Sequence, residues 1–157
     1  MSTIRQKAIA GLKVGDAFMA SRTFTEQDAA TFAAISRDYN PVHFDDRFAK
    51  VKNLQGRVCH GLLVGSLLTE VGGQIGWFAS GMKFVFKKPV YFGDTIACHV
   101  TIIDLDERHR AKAEAVFTNQ HGQIVIEASL TGIIPGSPEK GVLELMVAEG
   151  DPTNPCR

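Results

Sequence analysis

The spacing of apolar residues divides this chain into a mixed first third, one continuous apolar run, and a long strand-like second half. Residues 17–24 follow a Gly15-Asp16 turn signal and form a short strand-like segment. At Thr25 the pattern changes. Thr25-Glu26-Gln27-Asp28 has the form of a capping box: the threonine hydroxyl accepts an early backbone N–H, and Asp28 sits in the positive first turn. Ala29, Phe32, Ala33 and Ile35 then recur with helical period. This helix is expected to stop before Asn40-Pro41, because the residue preceding a proline is driven out of the helical region. Residues 39–54 read as a polar loop with one short turn over 45–49. In residues 61–75, Leu62, Leu63, Val64, Leu67, Leu68, Val71 and Ile75 cover most of a helix's circumference, which marks a buried helix.

Everything after Gly81 reads as sheet. The expected strands are 83–88, 95–105, 111–117 and 124–134, separated by turn signals at Gly93-Asp94 and over 119–122. One buried helix followed by four strands, with no helices between them, excludes a parallel βαβ arrangement. The expectation is an α+β fold: an antiparallel sheet of about five strands curled around a central helix. The whole chain is expected to be one domain, with its core over 11–134 and a tail over 135–157 that adds a short packed segment at 142–147. A sheet with free edges tends to pair with a second copy, so at least a dimer is expected.

Composition narrows the function by exclusion. Lys plus Arg equals Asp plus Glu, 17 each, so no global field favours nucleic acid or an anionic membrane. Cys59, Cys98 and Cys156 are few, odd in number and scattered, which argues against a disulfide framework and for a reducing compartment. Charged residues interrupt the first fifteen positions, so no signal peptide is read there. The longest apolar stretch, 61–68, falls far short of the roughly 18 residues that a membrane span needs. A cytoplasmic location is expected.

The densest polar constellation runs from Ser36 to His43, where a helix ends and a loop begins. Pro41 stiffens it, so Asp38 and His43 can face one small volume across a turn and together polarise a water and return a proton. A capping aspartate beside a solvated loop histidine explains the same residues equally well. Cys59-His60-Gly61 opens the buried helix, where free N–H groups present partial positive charge, and Gly61 leaves room for a carbonyl that gains charge during reaction. Such a glycine is also common at helix starts. Ser66 either lines a pocket or lets a strand pack closely. Arg57, Lys50, Lys52, Lys83, Lys87 and Lys88 are candidate phosphate contacts or ordinary solvated positions. Asp38, His43, Asp45, Asp46 and His60 cluster in sequence but lack a helical H-x-x-x-H spacing, so no metal is expected.

Three segments then resemble a known family. SRDYNPVHFDDRFA, GRVCHGLLVGSLL and MKFVFKKPVYFGDTI, in that order, are similar to the MaoC-like (R)-specific enoyl-CoA hydratases of the hot dog fold, over nearly residues 11–134. The resemblance implies syn hydration of a trans-2-enoyl thioester to the (R)-3-hydroxyacyl thioester. It assigns water activation to Asp38 and His43, support of the site to Asn40, a backbone N–H for the thioester oxygen to Gly61, and substrate contact to His60 and Ser66. It further implies no metal or redox cofactor, an acyl-CoA or acyl-carrier-protein substrate, a place in fatty acid metabolism, and a homodimer or dimer of dimers. Two alternatives share this fold: a 3-hydroxyacyl-carrier-protein dehydratase on the same site, and an acyl-CoA thioesterase, for which Glu70 is the only acid on the central helix. The chain departs from the family at Arg37, where glycine is usual. Glycine there serves a left-handed backbone or a close approach, so Arg37 bears on local geometry and acyl length more than on reaction type.

Overall fold

The apolar run becomes helix α4, Gly61–Ile75, and its non-polar coat accounts for its position. Leu63, Val64, Leu67, Leu68, Val71 and Ile75 are all buried. A helix coated in this way is stable only when surrounded. In the computed structural model, which describes residues 3–154, a five-stranded sheet surrounds it. Its strands are β1 (Ala17–Thr23), β2 (Phe78–Phe86), β3 (Thr95–Leu105), β4 (Arg110–Thr118) and β5 (Ile124–Ile133). They lie in the order β1-β3-β4-β5-β2 with every neighbouring pair antiparallel, as expected.

Period-two alternation turns one face of the sheet toward α4. Ile96, Cys98, Val100 and Ile102 of β3 point inward, as do Ala111, Ala113, Ala115 and Phe117 of β4. They share one core cluster with α4. Each fully buried Leu, Ile or Val there contributes roughly 1.5–3 kcal/mol. Truncating fully buried Leu68 to alanine costs about 2–5 kcal/mol.

Several boundaries differ from expectation, each for a local reason. Strand β2 starts at Phe78, because Gly76 (φ 83°) ends α4 in the left-handed conformation and the chain can reverse at once. It stops at Phe86, after which Lys87 N–H and Lys88 N–H both donate to the carbonyl oxygen of Val125. The tail forms a longer helix than expected, α5 (Ser137–Ala148), with Pro138 in the first turn and Glu139 accepting from the Gly136 N–H at 3.1 Å. Its Gly, Pro and Ser read as loop by composition, yet proline fits the first turn of a helix. A helix not anticipated, α1 (Thr3–Ala10), packs on α4 and α5. Its Arg5 donates to Gly73 O (3.2 Å) and pairs with Asp151 (3.8 Å), tying both terminal segments to the central helix. Cys156 and the end of the tail lie outside the described residues.

Candidate active site

The site is built on helix α2, Glu26–Ser36, which begins as the sequence predicts. Asp28 N–H donates to Thr25 Oγ1 (3.2 Å), and Thr25 N–H donates to Asp28 Oδ2 (2.8 Å). It ends because Arg37 takes the left-handed conformation (φ 59°, ψ 22°) and donates its N–H to Ala33 O at 2.8 Å. Arginine therefore occupies a backbone state that glycine enters freely, at about 1–2 kcal/mol for an L-residue.

Beyond Arg37 the chain is folded by three bonds that each span two residues. Asp38 N–H donates to Ser36 Oγ, Asn40 N–H to Asp38 Oδ1, and Val42 N–H to Asn40 Oδ1, all at 3.2 Å. Such Asx-type bonds are what short polar side chains supply in turns. Asn40 thereby caps a short 3₁₀ turn, Pro41–His43, that brings His43 back toward Asp38. The polar loop also contains a true helix, α3 (Asp46–Val51), capped by Asp45.

His43 is buried, and its Nδ1 lies 2.7 Å from Val58 O. A carbonyl oxygen only accepts, so Nδ1 carries the proton and Nε2 presents a lone pair. That lone pair faces Asp38 Oδ2 at 3.8 Å, beyond hydrogen-bond reach. One water oxygen about 2.8 Å from each atom can bond both. Burial is the largest influence on His43 and pushes its pKa below the ordinary 6.5; the Val58 bond raises it, His60 lowers it, and Asp38 raises it.

His60 is 1% exposed. Its Nε2–H donates to the carbonyl oxygen of Asp38 at 2.8 Å, and its ring stacks on that of His43 with centroids 3.7 Å apart and planes 26° apart. It is also the N-cap of α4, without a side-chain capping bond. The first-turn N–H groups of α4 therefore open toward a cavity of about 460 Å³. Asp38, His60, Gly61 and Leu62 line it, together with the apolar Phe32, Val64, Val90 and Ile126. A Cβ at Gly61 would stand 2.5 Å from Phe86 Cε1, so any larger residue here must displace that ring.

The structure thus brings together Asp38, His43, His60 and Gly61, with Asn40 holding the turn behind them. His43 stands behind the cavity wall, reaching it through Asp38. Ser66 is not brought to the wall. At about 100° per residue it lies some 140° around the helix from Gly61, and its hydroxyl donates to Leu63 O at 2.6 Å. Of the six candidate cations, Lys87 and Lys88 reach the cavity; Arg57 instead pairs with Glu26 and Asp46. Glu70 is paired with Arg22 at 3.1 Å, about 13 Å along the helix from Gly61. Burial pushes the Cys59 and Cys98 thiols up to about 12, which leaves both poor nucleophiles.

The ligand atoms of Asp38, His43 and His60 lie within 4.8 Å of one another, the one such group among the described residues. The two imidazoles stack, however, so their in-plane lone pairs run side by side and do not converge, and His60 Nε2 is committed to Asp38 O. The donor set fits a water better than a metal ion. Residue types did not reveal Val58, whose contribution is a backbone oxygen. Nor did they reveal Phe86, whose side of the strand depends on its register with β5.

The family described as MaoC like domain matches residues 13–123, most of the chain. The mitochondrial 3-hydroxyacyl-(acyl-carrier-protein) dehydratase of Arabidopsis thaliana is 33% identical over 143 residues, covering 85% of this chain and 83% of that protein. The (R)-specific enoyl-CoA hydratase of Aeromonas caviae is 35% identical over 100 residues, covering 61% and 75%. Among solved structures, R-hydratase PhaJ1 from Pseudomonas aeruginosa in the unliganded form superposes with a TM-score of 0.75 at 27% identity, covering 82% of this chain and 86% of that one. With the wrapped central helix and the matched segment agreeing, the chain belongs to the MaoC-like family and has the hot dog fold.

Proposed function

We propose that this chain, a hydro-lyase, adds water to trans-2-enoyl-CoA to give (R)-3-hydroxyacyl-CoA, with Asp38 and His43 activating the water. One observation carries the reading: a proton-free His43 Nε2 faces Asp38 Oδ2 at 3.8 Å, and Asp38 lines the cavity on which the N-terminus of α4 opens. The names of the Arabidopsis and Aeromonas relatives support the reaction type.

The water oxygen bonds to C3 while a proton from the dyad is delivered to C2 on the same face, so the elements of water add across the double bond. General acid–base help of this kind contributes typically ~10²–10⁴ in rate. Charge develops on the thioester oxygen as the enolate forms, and the Gly61 N–H at the head of α4 donates a hydrogen bond that stabilises it. One such donor contributes about 10²–10³. Asn40 supports Asp38 through the turn, and Lys87 and Lys88 stand where a carrier phosphate can meet them. The addition is redox-neutral, and no cofactor is assigned to it.

Dehydration of a 3-hydroxyacyl-carrier-protein shares the same transition state and is the second reading, favoured by the name of the Arabidopsis relative. A thioesterase is disfavoured because Glu70 is engaged by Arg22 away from the cavity. We place the enzyme in the cytoplasm on its free, buried thiols, although the Arabidopsis relative is named mitochondrial. A homodimer through β2 fits its exposure: Phe78 is 80% exposed and Phe86 54%, and both sit on a nine-residue edge strand.

The test is incubation with crotonyl-CoA. Loss of the enoyl absorbance without release of free thiol, yielding the (R)-3-hydroxy product, is expected. Thiol release with the alkene intact would establish the thioesterase. No change in either signal across acyl lengths would reject both.

A further inference from the structure

His60 is the most buried polar residue among those described, yet a ring so enclosed has no need of its nitrogens for packing. Three constraints converge on it. Its Nε2–H holds the Asp38 carbonyl oxygen at 2.8 Å, its face stacks on His43 at 3.7 Å, and its carbonyl oxygen accepts the Val64 N–H in the first turn of α4. Phe32 and Phe44 close in at 5.0 and 5.9 Å. Asp38 and His43 make no direct hydrogen bond, being 3.8 Å apart. The remaining bonds of Asp38 reach only Ser36 and Asn40, within its own exposed turn. The bond from His60 is therefore what ties Asp38 to the central helix.

We propose that His60 is a positioning residue, holding Asp38 by its backbone oxygen and His43 by ring stacking so that the two keep the separation at which one water meets both. Its effect on rate rests on the hydratase reading above; its effect on the His43 ring does not. The charged and titratable groups around His43 are few. Asp38 comes from the turn, and His60 and Cys59 from the segment before α4. Asp45 pairs with Arg47, and α3 carries Asp46, which pairs with Arg57, and Lys50. Of these, His60 lowers the His43 pKa and Asp38 raises it.

Two substitutions separate the contacts. His60→Phe keeps the stacking ring and loses the donor; His60→Gln keeps a donor and loses the ring. In an NMR titration, the His43 ring of the parent has its midpoint below 6.5, and in His60→Gln that midpoint moves up. Turnover of crotonyl-CoA falls about 10- to 100-fold in His60→Phe with KM within about twofold, and less in His60→Gln. A residue that merely fills the core would lower the folded fraction, and could move the His43 midpoint through burial, but would leave kcat per folded enzyme at the parent's value. An unmoved midpoint in His60→Gln overturns the proposal, as does a His60→Phe kcat within about twofold of the parent. Should His60→Phe fail to fold, kcat per folded His60→Gln decides: a fall of severalfold supports the proposal and the parent's value overturns it. An inactive parent enzyme would count against the hydratase reading and leave the titration to judge His60.

Discussion

Replacing Gly61 with alanine puts a methyl group against the Phe86 ring and beside the N–H to which the proposed reaction assigns the thioester oxygen. The new Cβ would lie 2.5 Å from Phe86 Cε1 and 2.8 Å from Cζ. Carbon atoms prefer about 3.5–4.0 Å, so the overlap is about 1 Å. Phe86 is 54% exposed at the end of an edge strand, so its ring can swing away. The expected loss of stability is accordingly at the low end for overpacking, about 1 kcal/mol. The catalytic loss is larger, because the methyl and the displaced ring both crowd the first turn of α4. Losing one donor to a developing oxyanion costs about 10²–10³ in kcat, and a fall of about 10² is expected here. Adding Phe86→Ala removes the collision, so the pair should be more stable than the sum of the single changes by about 1 kcal/mol. Turnover should stay low in the pair, since the methyl still covers the N–H. Denaturant midpoints and crotonyl-CoA turnover measure the two effects. Turnover of Gly61→Ala within about threefold of the parent would refute the role of that N–H, and additive stabilities would refute the collision.

Asp38→Asn and His43→Gln should each reduce turnover by at least ~10² while circular dichroism stays unchanged; near-parent turnover in either would sink the dyad. The lowered pKa of His43 also sets a pH dependence. Between its folded value and 6.5 the unfolded chain binds more protons, so stability is full above 6.5 and is lost as pH falls toward the folded value. His43→Gln should flatten that slope in chemical denaturation, and an unchanged slope would point to another group. Arg37→Gly relieves a left-handed arginine at φ 59° and should raise stability by roughly 0.5–1 kcal/mol, net of the entropy that glycine adds to the unfolded chain, as read from the denaturation midpoint. Ser66→Ala should leave KM within about twofold, because its hydroxyl is bonded to Leu63 O and turned away from the cavity; a larger rise would return Ser66 to the substrate.

Much of the architecture was legible because it depends on local chemistry. The capping box at Thr25, the apolar circumference of α4 and the alternation of β3 and β4 each select a conformation within a few residues, and each appears where the pattern put it. The tail was misjudged for the same reason: Ser137 and Pro138 look like loop until their helix finds something to cover. Asp38, Asn40, His43 and Gly61 could be picked out as candidates from their residue types and spacing. What these residues do to one another could not. The place of β2 beside β5, the stacking of His60 on His43, the Val58 oxygen that sets the His43 tautomer and the turning away of Ser66 all join segments distant in sequence or depend on helical phase. Composition and periodicity determine which segments are helix or strand and which faces must be buried. Only packing decides which distant atoms come within 3–4 Å, and both the proton on His43 and the position of Asp38 depend on those distances.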